Sequence, residues 1–167
     1  MSSFSLQNSP SREYRVKAAF LFNFTQFIEW PASSFAGPQS PAVIGILGKD
    51  PFGPYLEATI AGETIDKHPL IIKHFNSIDE IDNCHALFIN MKNQDELEEI
   101  IEKLKGKNIL TVSDANGFAK FGGMIRMYIK NDKISFQINL EAARAEKLSI
   151  SSKLLKLAEI VKSDKKQ

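Results

Sequence analysis

Between residues 42 and 112 the chain alternates short apolar runs with segments patterned as helices, and this alternation restricts the fold more than any other feature. "AVIGIL" (42–47) is apolar without interruption, as a strand covered on both faces has to be. "GKDPFGPYLEATI" follows, and Pro51 or Pro54 suits the first turn of a helix. "PLIIKHF" (69–75) predicts the next strand, "SIDEID" (77–82) a short helix and "ALFIN" (86–90) a third strand. Asn93 with Glu96 makes a capping-box-like start to a helix whose Leu97, Ile100, Ile101 and Leu104 fall at i, i+3, i+4 and i+7, with Gly106 ending it. "NILTV" (108–112) is the fourth strand. Strands and helices in this order specify an α/β fold, a mainly parallel sheet with helices on both faces.

The last third changes period. Ile125, Met127 and Ile129 alternate with Arg126, Tyr128 and Lys130, "ND" at 131–132 supplies a two-residue turn, and Ile134, Phe136 and Ile138 alternate again. This predicts an antiparallel hairpin at the C-terminal edge of the sheet. Asn139 suits the cap of a short helix "LEAARAE", and Ser151 or Ser152 that of a last one with Leu154, Leu155, Ala158 and Val161 inward. No repeat or internal linker divides the chain. A single domain is expected over residues 14–162, after a disordered leader or remnant at 1–13 and before a solvated tail at 163–167.

At the other end, Tyr14, Ala18, Leu21, Phe22, Thr25 and Ile28 trace one stripe of a helix expected from Ser11 to about Glu29, and Phe20, Phe24 and Phe27 widen it. Pro31 stops it, and "PASSFAGPQSP" is a loop by composition. The run "VKAAFLFNFTQFIEW" is interrupted by Asn23, Thr25 and Gln26 and falls short of the roughly 20 residues that span a bilayer, so it reads as a core helix.

Several function classes drop out. With 21 basic against 20 acidic residues there is no global field for a polyanion, and nucleic acid is not expected as a partner. A lone Cys84 offers no disulfide within the chain and no zinc pair. "MSSFSLQNSPS" lacks the basic and apolar regions of a secretory signal, which fits a cytosolic chain or an already trimmed one. Phosphate-loop, dinucleotide, zincin and nucleophile-elbow signatures are missing, and no metal-spaced Cys/His set, catalytic group or cofactor is expected. His68, His74 and His85 read as ordinary surface or strand-end histidines, and Glu98, Glu99 and Glu102 as a solvated helix face.

The stretch "TVSDANGFAKFGGM" (111–124) resembles a phosphate cradle, but a period-2 strand follows its glycines where an anion site requires a helix. Asp114 is placed to cap "ANGFAKF", and the glycines supply turn geometry. Open parallel sheets bind ligands at the carboxyl ends of their strands, so Lys49, Asp50, Ser113 and Asp114 are the candidates for a ligand pocket.

Taken in order, "YRVKAAFLFNFTQFIEWP" (14–31), "ILGKDPFGPYLE" (46–57), "CHALFI" (84–89), "LTVSDANGFAKFGGMI" (110–125) and "INLEAARAEKLSISSKLLKLA" (138–158) resemble the YfiR-like family of small exported proteins. The resemblance implies a periplasmic α/β protein without known catalysis. In the best understood member it implies repression of a membrane-bound diguanylate cyclase through that enzyme's periplasmic sensor part, which keeps cyclic di-GMP and biofilm formation low. Relatives occur beside histidine kinases. The expected partner is therefore the periplasmic domain of a diguanylate cyclase or histidine kinase, with a homodimer or a small-molecule ligand left open. The one cysteine departs from the disulfides of that member. Phe24, Phe27 and Trp30, beside the "EWP" turn, are the expected partner-binding anchors, because aromatic side chains dominate interfaces.

Overall fold

The computed structural model describes residues 10–164. Most of the expected leader and residues 165–167 of the tail lie outside the described residues. Residues 10–13 form the first turn of helix α1, Pro10–Gln26, with proline at the helix start, where its missing N–H costs nothing. A two-residue strand β1 (Ile28–Glu29) and a 3-10 turn (Ala32–Ser34) follow. The next segment holds β2 (Ala42–Leu47), α2 (Tyr55–Ile60), β3 (Thr64–Ile65) and β4 (His68–Phe75). After a 3-10 turn at Ile78–Glu80 come β5 (Ala86–Ile89), α3 (Gln94–Leu104) and β6 (Leu110–Ser113). The chain closes with β7 (Ile125–Lys130), β8 (Lys133–Asn139), α4 (Leu140–Ala145), β9 (Ser149–Ile150), α5 (Ser152–Leu155) and β10 (Glu159–Val161).

Eight strands form one sheet in the order β10-β8-β7-β6-β5-β2-β4-β3. The five from β4 to β7 are mutually parallel, while β7 and β8 are antiparallel. The architecture is thus a mainly parallel α/β sheet with an antiparallel hairpin at its C-terminal edge. Asn131 (φ 52°) and Asp132 (φ 62°) take the left-handed conformation that a tight two-residue hairpin turn demands.

Alternation along the strands builds two cores. Ala42, Ile44 and Ile46 of β2 join Phe88, Val112 and Ile138 beneath Ala18, Leu21 and Phe24 of α1 and Leu56 of α2. Val43 and Leu47 join Leu87 and Ile89 beneath Leu97, Ile100 and Leu104 of α3. Every residue of β2 is therefore buried. Gly45 fits there because its neighbours fill the space: a Cβ would lie 2.7 Å from the Phe75 ring. The Asn93 side chain accepts the Glu96 N–H to start α3, and Asn139 accepts that of Ala142 to start α4.

Two expectations fail at the ends of helices. The first helix stops at Gln26; Ile28 and Glu29 then pair antiparallel with Ile150 and Ser149 of β9, and the Ser151 N–H donates to the Phe27 carbonyl. Pro31 favours an extended residue before it, which suits this exit. The last helix is a single turn, and Val161, expected on its inward face, lies in β10, which pairs parallel with β8. The outer backbone groups of β8 offered a template, and three residues of β10 satisfy it.

Candidate functional site

Helices α2 and α3 pack on opposite faces, and their strands β2 and β5 are neighbours, so the chain changes direction across the sheet at this pair. This is where open α/β sheets place ligands. Lys49, Asp50, Ser113 and Asp114 all reach that carboxyl edge. Three of the four are engaged internally. Asp50 accepts the Phe52 N–H at 2.7 Å and pairs with His74 Nε2 at 2.8 Å, while Asn90 Nδ2 donates to the Lys49 carbonyl at 2.6 Å. Ser113, fully buried, donates to the Ile89 carbonyl at 2.7 Å and accepts the Ala115 N–H at 3.2 Å. The Lys49 side chain is exposed.

Asp114 does not cap the segment after it; Ser113 takes the Ala115 N–H instead. The Asp114 Oδ2 accepts the Tyr14 hydroxyl at 2.6 Å and Lys17 Nζ at 2.8 Å, and Lys17 also pairs with Glu13 one helical turn back. Burial on its own raises the Asp114 carboxyl pKa, but the Lys17 and Tyr14 hydrogen bonds and the charges of Lys17 and Lys92 outweigh it and hold the group below the ordinary carboxylate range. The Tyr14 phenol is pushed well above its usual value, first by burial and then by the Asp114 bond. The cluster pins the N-terminal half of α1 to the end of β6. Its one local signal is a lysine set among apolar stripe residues four places after a glutamate.

The aromatic anchors separate. Phe24 is fully buried, its ring 5.0 Å from Phe136 and 6.2 Å from Phe20, so it faces the sheet and not a partner. Phe27 and Trp30 are half-buried, and Trp30 Nε1 donates to the His85 carbonyl at 2.9 Å. Beside them Phe35 is stacked between two imidazoles, 3.8 Å from His68 and 4.4 Å from His85. The three come from separate segments, and nothing in the sequence brings them together. His68 Nδ1 meets the Ser40 carbonyl at 2.7 Å, so both ends of the 31–41 loop are tied to strand starts. Trp30 and Phe35 line a cavity of about 500 Å³ with Glu29, Ile65 and Asp66.

His85 is neutral in this arrangement, since its Nδ1 accepts the Val43 N–H at 3.0 Å and its Nε2 donates to the Ser34 carbonyl at 2.8 Å. Burial lowers its pKa below 6.5, the Ser34 bond opposes this, and the nearby His68 adds to the lowering. The unfolded chain therefore binds the proton first. Stability is expected to fall as pH drops below about 6.5, by at most about 1.4 kcal/mol per unit from this group, until the lower folded value is passed. Urea unfolding of the parent and of His85→Gln between pH 7.5 and 5, as a chosen range of about 2.5 units, checks it. An equal slope in both chains would assign the effect to other groups.

The sole cysteine is also internal. Cys84 Sγ donates to the Ala86 carbonyl at 3.2 Å, and burial pushes the thiol up to about 12, which keeps it protonated at neutral pH. Among the described residues no His/Cys/Asp/Glu group is placed to hold a metal ion, and no helix is long and apolar enough to cross a membrane.

The family model described as YfiR/HmsC-like matches residues 14–159. The chain belongs to the YfiR/HmsC-like family. The match begins at Tyr14, within the Asp114 clasp, and ends at Glu159, the first residue of β10. The YfiR/HmsC-like region thus contains both ends of the clasp, the Phe35 stack and all but the last two residues of the sheet. No curated protein matches the sequence.

Proposed function

We propose that this YfiR/HmsC-like chain is a periplasmic regulator that holds a membrane-bound signalling protein, a diguanylate cyclase or a sensor kinase, inactive by binding its periplasmic domain. The observation that carries the reading is the family match across residues 14–159. Function then resides in a docking surface and not in a reaction centre. Phe27 and Trp30 are the anchors this reading keeps, because both are partly accessible and sit at the tied-down 31–41 loop, so little order has to be gained on binding.

The test is a host lacking the gene, in which intracellular cyclic di-GMP is measured after complementation. Deletion is expected to raise the dinucleotide and the parent chain to restore it, with Phe27→Ala/Trp30→Ala restoring it poorly at equal protein level. Full restoration by the folded double variant removes this surface. No change on deletion, with no change in phosphorylation of a neighbouring kinase, removes the reading itself.

The crossing point between β2 and β5 supports a second reading, a small-molecule sensor with its pocket at Lys49, Asp50, Ser113 and Asp114. It ranks second because a ligand there has to displace the Asn90 and His74 contacts and break the Lys17–Asp114 pair. No rise in Tm across a panel of nucleotides, amino acids and sugars would end it.

A further inference from the structure

One face of α3, the glycine-containing stretch before β7 and helix α4 enclose a groove of about 810 Å³. Its floor is mainly apolar, with the buried Thr111 hydroxyl accepting the Met124 N–H. Leu104, Ile109 and Met124 are buried at the bottom, while Ile101, Phe121 and Ala142 present part of their surface to the opening. Gly122 keeps one side low: its φ of +110° disfavours any side chain, and a Cβ there would touch only Ile101, at 3.4 Å. The glycines that resemble a phosphate cradle in the sequence thus help to shape an apolar trough.

The walls carry the opposite chemistry to a phosphate site. Five carboxylates line the groove, Glu98 and Glu102 on α3, Glu141 and Glu146 at α4, and Asp164 near the chain's end, against Lys105 and Lys120. Glu146 is structural: its carboxylate accepts the N–H groups of Gly106 and Asn108, at 2.9 Å each, which fixes α4 against the end of α3. Glu102 pairs with Lys105 at 2.8 Å and Glu141 with Lys162 at 3.8 Å, and both pairs are well exposed. Exposed pairs of this kind are weak, so an incoming cation can replace either lysine at little cost. The chain as a whole carries a net charge of only +1, so this negative rim is a local feature.

We propose that the groove receives a short segment of a partner protein in which one or two apolar side chains are flanked by Lys or Arg. The apolar floor selects the anchors, the acidic walls select the flanking charges, and the rigid Glu146 tie means the trough is formed before the segment arrives. Anionic occupants are repelled by the same walls. That the partner is the signalling receptor rests on the function proposed above; the groove's own chemistry does not.

The test uses the isotopically labelled full chain and a synthetic peptide of alternating lysine and leucine, followed by NMR. Amide shifts are expected to gather at residues 98–105, 120–124 and 141–146. Binding is expected to weaken about tenfold or more in Glu102→Lys/Glu141→Lys, whose substituted side chains are largely exposed, and to weaken with added salt. Peptides with glutamate for lysine, or serine for leucine, are expected not to bind. Absence of binding by the lysine–leucine peptide, shifts elsewhere on the surface, or unchanged affinity in the double variant overturns the proposal. Because the readout is on the isolated chain, these outcomes are separate from the loss or retention of repression in cells.

Discussion

Lys17→Met is expected to cost about 3–5 kcal/mol of folding stability, because it strands a buried carboxylate. The Lys17 and Asp114 side chains are 4% and 5% exposed, and Asp114 is held in its charged form chiefly by the lysine. Without that partner, Asp114 keeps the Tyr14 hydroxyl and the charge of Lys92, which make up for its burial less well, and neutralising it at pH 7 costs free energy instead. The double variant Lys17→Met/Asp114→Asn is expected to recover most of the loss, since the amide oxygen still accepts from Tyr14 and no buried charge remains. Glu13 is 18% exposed and can turn to water. The pH dependence has a definite sign. Asp114 has a folded pKa below its ordinary 3.8, so its contribution is complete above about 3.8 and disappears as pH falls through the folded value. The difference between the parent and the double variant is therefore expected to shrink in acid. Urea midpoints at neutral and strongly acid pH measure both effects. A Lys17→Met chain within about 1 kcal/mol of the parent would show that the site admits water and that the clasp is weak.

The clasp also marks the boundary of what the sequence reveals. β2, α3 and the β7–β8 hairpin are legible because their causes are local: an unbroken apolar run, an Asn93 cap with an aliphatic stripe, an Asn-Asp turn between two alternating runs. The same alternation correctly brings Lys49, Asp50, Ser113 and Asp114 to one edge of the sheet. What Asp114 does there depends on where α1 crosses the sheet, 97 residues away in sequence, and its strand-end position looks like a cap until that helix is placed. The two-residue strands are illegible for a similar reason. Ile28 pairs with Ile150, and neither carries a local strand pattern. β10 exists because β8 had an open edge, a property of the assembled sheet and not of Glu159–Val161. The Phe35 stack and the acidic groove are likewise joint products of distant segments, which is why three scattered histidines and a solvated glutamate row understate them.

Phe24→Ala is expected to lose about 3–5 kcal/mol as well, through a cavity and not through a lost partner contact. The ring is fully buried, meets Phe136 of β8 edge-on at 5.0 Å, and sits in the same core as Ile138 and Met127, so truncation empties space between α1 and the sheet. Partial collapse is restricted because the clasp at Lys17 and the β1–β9 pair hold α1 near both ends. Phe27→Ala, at a half-buried position, is expected to cost less. This ordering separates the two roles that the aromatic run of α1 suggests. If the proposed function holds, Phe24→Ala in a cell assay is expected to lose repression in proportion to lost folded protein, and Phe24→Leu, which refills much of the space, to restore both together. On the proposed docking surface, Phe27→Ala and Trp30→Ala are expected to lose repression with most of the folded fraction retained. Should Phe24→Ala unfold within about 1 kcal/mol of the parent and yet fail to bind the proposed receptor, the helix must present that ring to it, and the proposed docking surface extends into what is core in the free protein.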